Sequence, residues 1–245
     1  MVFSIAWSIH FLSIVSSFTQ EVFPHHHLVE CIEESLRNLR SERIDLIQLH
    51  VWHPEWLNEG DWHETLTGLK RQGKIAHWGI SVTDHRPDSA LGIVNSGKID
   101  TVQVIYNIFD QSAGRNLFPL CLEKQVGVIV RVPLDEGALT GEITPDTHFP
   151  RKDWRNLYFR GDRKSQVFQR VQKLSALLGG KTDTLPQLAL KFCLHHPAVS
   201  TVIPGMRSIK HVDANLPVSG QVALPDKTLQ QLRSHGWDKD FYRRT

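Results

Sequence analysis

Apolar residues in this chain recur at two alternating spacings. After Pro24, the residues Leu28, Ile32, Leu36 and Leu39 repeat at helical spacing, and RIDLIQLHVWHP, residues 43–54, follows as a nearly unbroken apolar run. Ile44, Leu46, Ile47 and Leu49 are too continuous for a strand wetted on one face and fit one covered on both, as parallel strands are. The cycle then repeats. Trp62, Leu66 and Leu69 mark a helix stopped by Gly73, and AHWGISV, residues 76–82, is the next strand. A helix through Ala90 and Val94 ends near Gly97 before the strand TVQVIYN, and one through Leu117 and Leu122 precedes VGVIVRVPL. Helices over 167–178 and 185–195, the strand VSTVIPG and a closing helix near Ser208 complete the series.

Such alternation predicts parallel strands joined by crossover helices, in a (β/α) barrel or an open doubly wound sheet. An open sheet gathers its ligand beside a glycine-rich turn such as GxGxxG, which this sequence lacks. Polar residues instead stand at the ends of several strands: His50, Ser81, Gln103 with Asn107, Arg131, and the turn at Gly205. In a barrel all those ends open onto one face, so the expected fold class is α/β, a (β/α)8 TIM-type barrel. About five strands are visible where eight are needed, so the barrel is expected to be incomplete, a partial domain over residues 24–245. Between 141 and 164 lies an irregular aromatic stretch with the character of a flap.

Residues 1–23 form an atypical apolar extension. The run at 2–18 has no Lys or Arg before it and is broken by serines and His10, which argues against both a leader and a membrane span and suits a strand or a loose extension equally. The composition is globular, with 40% apolar and 22% charged residues, and a net charge of +2 offers no broad basic face to nucleic acid. Cys31, Cys121 and Cys193 form no CxxC pair and read as reduced core thiols, which places the chain in the cytoplasm. Of the histidines, His53, with Asp84 and His85, could join His50 in a metal-dependent hydrolase, although no HxH pair sits on a strand.

Five ordered blocks, SLRNLRSERIDLIQLH, GKIAHWGISV, DTVQVIYNIFD, VGVIVRVPLDEGALTGE and STVIPGMRSIKHVDANL, resemble the second half of an aldo/keto reductase. The likeness runs from about residue 28 to the C-terminus and aligns these blocks with the fourth to eighth barrel strands, so the first three would be missing. It implies a barrel that binds NADPH without a Rossmann fingerprint and passes hydride to a small-molecule aldehyde or ketone.

Residue by residue, His50 matches the histidine that polarises the carbonyl, a task for a neutral donor in a partly dry pocket. Ser81 and Gln103 match the groups that hold the nicotinamide carboxamide, though Val82 stands where relatives often carry Asn. Arg131 falls where many relatives place an aromatic residue against the nicotinamide. Leu134, Gly137 and Leu139 match the loop over the pyrophosphate. Gly205, Met206, Arg207, Ser208, His211 and Asn215 match the segment for the 2′-phosphate and adenine, and Ala214 replaces a frequent polar contact. Arg207, a forked donor suited to a phosphate dianion, is the reason for expecting NADPH over NADH.

The family's proton-donating Tyr, its Lys and the Asp that pairs with that Lys would precede His50. Here the first tyrosine is Tyr106, the first lysine Lys70 and the first aspartate Asp45. Catalysis is therefore expected to be impaired, with a non-catalytic NADPH-binding or interaction module as the alternative and the hydrolase third. Strands left unpaired at a barrel gap would lower stability or favour pairing into a homo-oligomer.

Overall fold

In a computed structural model, residues 5–10, 22–178, 184–220 and 224–242 are described. The chain divides into two compact units, one made of residues 1–104 and 116–128, the other of residues 105–115 and 129–245.

The first unit is built on parallel strands in chain order: β1 (Ile5–His10), β2 (Ile44–Trp52), β3 (Ile75–Val82), β4 (Thr101–Ile105) and the start of β5 (Gly127–Arg131). Helix α1 (His25–Leu39) opens after Pro24 as the sequence predicts, and Leu28, Ile32 and Leu36 are its buried face. Helices α2 (Trp62–Arg71), α3 (Leu91–Ser96) and α4 (Leu117–Lys124) each precede a strand, the βα alternation that parallel pairing requires. Gly73 and Gly97, at φ of 77° and 71°, take the left-handed conformation that ends α2 and α3.

The sequence left residues 2–18 open between a strand and a loose extension; part of that stretch is β1, which pairs parallel with β2, with His10 opposite His50. The apolar run at the N-terminus thus supplies a strand over residues 5–10, while most of it lies outside the described residues. The cysteine expectation needs amendment. Cys121 and Cys193 are buried, but Cys31 is half-buried, its Sγ 3.7 Å from His27 Nε2.

One close approach fixes the strand register. Gln48, Gly79 and Thr101 are aligned across β2, β3 and β4, and Gln48 Nε2 donates to Thr101 Oγ1 at 2.9 Å over the glycine between them. A Cβ on Gly79 would stand 2.0 Å from that hydroxyl and 2.3 Å from the Thr101 carbonyl oxygen.

The second unit starts from the last residues of β5, whose neighbour is β6 (Val199–Ile203). It contains α5 (Arg155–Tyr158), α6 (Arg163–Leu178), α7 (Leu185–His195), α8 (Ile209–Asn215) and α9 (Asp226–Arg233). Thr184 and Gln187 close a capping box at the start of α7. In this unit Tyr106 stacks on Phe192 with centroids 5.4 Å apart, and Cys193 Sγ donates to the Tyr106 carbonyl at 3.3 Å. The expected flap contains α5 and runs into α6.

Two glycine substitutions test the register. Gly79→Ala is expected to destabilise the protein by ~2 kcal/mol or more, since the clash is with backbone as well as side chain. Gly68→Ala, in α2 with nothing within 4 Å of the added carbon, should instead stabilise by ~0.5–1 kcal/mol. Urea unfolding of the two variants reads both.

Candidate active site

In the first unit, Ser81 on β3 is the register partner of Gln103 on β4, and Leu49 on β2 is the partner of Ile80. The register of β2 against β3 shifts between Leu49 and Trp52, so regular alternation ends at the Leu49–Ile80 pair and His50 stands at the irregularity just beyond it. Ser81 and Gln103 form a polar pair near the C-terminal ends of adjacent strands, and His50 lies near the end of the strand beside them. Gln48, Gly79 and Thr101 form the layer below. The opposite face is apolar and closed, with Ile47, Leu49, Ile80 and Val102 all buried.

Burial gives the pair its chemical character. Ser81 is 1% exposed, yet its hydroxyl has no hydrogen-bond partner among the described residues; nor does Oε1 of buried Gln48. Leaving a buried polar atom unpaired costs ~1–3 kcal/mol, which an ordered water or a bound partner would offset. An amide, carrying both a donor and an acceptor, satisfies a hydroxyl in either role. Among the described residues no group of three or more His, Cys, Asp or Glu is arranged to hold a metal ion, so His50, His53, Asp84 and His85 are not brought together as ligands.

The second unit carries the remaining residues. Arg131 ends β5, and the loop after it turns through left-handed backbone at Val132 (φ 54°), Asp135 (49°), Glu136 (57°) and Gly137 (100°). This conformation is strained for all but the glycine, above all for β-branched Val132. Side chains hold it in place. Asn107 Nδ2 donates to the Val132 carbonyl at 3.0 Å, and Lys239 Nζ reaches Asp135 Oδ1 at 2.8 Å with both side chains 2% exposed. Lys239 also donates to Tyr158 Oη at 2.7 Å, and that hydroxyl donates to Asp135 Oδ1 at 3.2 Å. Tyr242 hydrogen-bonds Glu136. Leu139 is buried beneath the loop.

The segment after β6 is open. Gly205, Met206, Arg207, Ser208 and His211 are exposed, and Asn215 is half-buried. Ser208 Oγ caps α8 by accepting from the His211 amide at 3.3 Å. The flap reaches this segment electrostatically. Asp153 bonds the Arg155 guanidinium at 2.7 and 3.0 Å, and those bonds, with the Arg207 charge beyond them, hold its carboxyl at about 2.

Sequence reading missed the Asp135, Tyr158 and Lys239 cluster. Asp135 lay in a quoted block, but nothing local links it to a lysine 104 positions later. Tyr158 does not stand in for an acidic tyrosine, because burial, then the Asp135 carboxylate, pushes its phenol far above the ordinary range.

The profile of the aldo/keto reductase family matches residues 16–236. The chain belongs to the aldo/keto reductase family. It is 26% identical over 217 residues to an uncharacterized oxidoreductase of Bacillus subtilis, covering 89% of this chain and 68% of that one. Similarity to the NADH-specific methylglyoxal reductase of Escherichia coli is 27% over 189 residues, or 75% of this chain and 57% of the relative. The glycerol dehydrogenase structure from Gluconobacter oxydans shares the fold, with a TM-score of 0.74 at 21% identity over 94% of this chain and 69% of that one. The chain thus spans roughly three fifths to two thirds of the length of these relatives. No helix among the described residues is long and apolar enough to cross a membrane.

Two measurements follow from the second unit. Lys239→Met leaves Asp135 buried without its cation and should cost ~3–5 kcal/mol of unfolding free energy, a loss that adding Asp135→Asn should largely reverse. The Asp153 carboxyl should titrate near 2 by carbon NMR. Its pKa is depressed below the unfolded value of ~3.9, so the stabilisation is complete above that value and is lost as pH falls toward 2. In Arg155→Ala the midpoint should rise toward the ordinary range.

Proposed function

We propose that this member of the family binds NADPH and positions a small aldehyde or ketone for hydride transfer. The observation that supports the reading most directly is the register-paired Ser81 and Gln103 at the strand ends, with a buried Ser81 hydroxyl that has no partner among the described residues. Ser81 and Gln103 would hold the nicotinamide carboxamide, and His50 would donate to the carbonyl oxygen as negative charge develops there. NADPH, when bound, supplies the hydride.

In the second unit, Arg131 would lie against the nicotinamide end, while Leu134, Gly137 and Leu139 would form the pyrophosphate loop. Gly205, Met206, Arg207, Ser208, His211 and Asn215 would take the 2′-phosphate and adenine. The NADH-specific relative makes the choice of dinucleotide a property of individual residues rather than of the family. Here the exposed Arg207 guanidinium favours the phosphorylated form.

Proton delivery limits the rate in this reading. An efficient proton donor needs a pKa near the working pH. Burial pushes Tyr106 well above the ordinary phenol range, and Tyr158 higher still. These observations favour a second reading, an NADPH-binding protein with little turnover on its own.

Fluorescence titration with NADPH tests both readings. Ser81→Ala should leave stability unchanged or slightly higher, because the hydroxyl makes no internal bond, while weakening NADPH about fivefold or more. Arg207→Ala should weaken NADPH about tenfold and NADH little. Binding accompanied by no reduction of aldehydes or ketones selects the second reading. The absence of saturable NADPH binding defeats both.

A further inference from the structure

Helix α6 and the segment just past α9 line a cleft of about 390 Å³ that contains none of the residues assigned above. Ligand clefts typically occupy ~300–1,000 Å³, so a small metabolite fits. The helix lines it with Gln166, Gln169, Arg170 and Lys173, and the segment with His235 and Trp237. The four helical positions are spaced i, i+3, i+4 and i+7, so they share one face.

Charge is concentrated there without compensation. Residues 163–178 include no Asp or Glu. Of the acids nearest in sequence, Asp162 accepts from the lining residue Gln166 Nε2 at 2.9 Å, Asp238 pairs with Arg115 at 3.1 Å, and the field of Asp240 acts on Arg163. Lys239, whose ammonium is 5.5 Å from the Trp237 centroid, is bonded to Asp135. No ion pair joins Arg170, Lys173 or His235 to a carboxylate among the described residues. Burial lowers the Arg170 pKa; burial, and then Arg170 and Lys173, lower that of His235. Three basic groups therefore crowd one cleft, and an anion between them would relieve the repulsion.

The cleft is also shaped. The Arg170 guanidinium lies 4.0 Å from the Trp237 ring centroid, and the indole is held in turn against Phe109 and Phe241 at 6.0 and 5.3 Å. Stacking holds the guanidinium while its N–H donors remain available to an oxyanion, and the glutamine amides add neutral donors. The indole supplies an apolar wall for an organic moiety.

We propose that this cleft is a binding site for a phosphoryl group, held by Arg170, Lys173 and His235, on a small phosphorylated molecule whose organic part rests on Trp237. Phosphate favours this donor set because its oxygens can accept from a forked guanidinium, an ammonium and an imidazolium together. A bound phosphoryl group favours the imidazolium, which adds a donor and a charge, so binding should raise the His235 midpoint.

Calorimetric titration of the full chain with inorganic phosphate and with a hexose monophosphate, in chloride at fixed ionic strength, tests the assignment. Saturable one-site binding is expected, with the His235 titration midpoint moved upward in proton NMR. Tighter binding of the ester supports a phosphorylated metabolite, whereas equal binding supports free phosphate as the source of the same chemistry. Lys173→Glu, an exposed substitution that leaves the core untouched, should weaken either ligand about tenfold or more. Heats that do not saturate, a His235 midpoint that responds equally to chloride, or undiminished binding by Lys173→Glu would each overturn the proposal.

Discussion

The hydrogen bond from Gln48 to Thr101 can cross β3 only because residue 79 carries no side chain. That close approach sets the register of three parallel strands, and the register carries the functional argument for the first unit. Once Gly79 and Thr101 are level, alternation puts Ser81 level with Gln103 two residues later, while the register of β2 shifts past Leu49, where His50 stands. The lower layer is an internal polar contact. The upper one ends in a hydroxyl that no described residue satisfies.

The second unit solves a different physical problem. Its loop after β5 needs left-handed backbone at three residues that are not glycine, and such conformations persist only where the surroundings enforce them. Asn107 holds the carbonyl at the loop's start, and Lys239 neutralises the carboxylate in its middle. The buried Asp135 and Lys239 pair is therefore more than an isolated contact, because it joins the loop to the C-terminal segment and to Tyr158. The same segment carries Trp237, which orients Arg170 on the other cleft.

Much of this was legible in the sequence because parallel strands and amphipathic helices leave strong periodic signals. The helix beginning after Pro24, the helix over 185–195 and the strands ending near His50 and Ser81 stand where the spacing puts them. Strand β1 was ambiguous because its apolar residues suit several states and its partner cannot be read locally. The flap's short helix and α9 escaped because a four-residue helix lacks periodicity and α9 buries only Thr228, Leu229 and Leu232. Site residues at strand ends were readable for the same reason as the strands themselves. The Asp135, Tyr158 and Lys239 cluster was not, since burial and long-range pairing arise only in the folded chain.

The central claim is that the pair of Ser81 and Gln103 faces a nicotinamide. It is tested most directly by following the side-chain amide resonances of Gln103 and Gln48 during titration with oxidised cofactor. The account predicts a saturating shift of the Gln103 amide, with a smaller response from Gln48 one layer deeper. A Gln103 amide that stays in place while cofactor saturates the protein would contradict it.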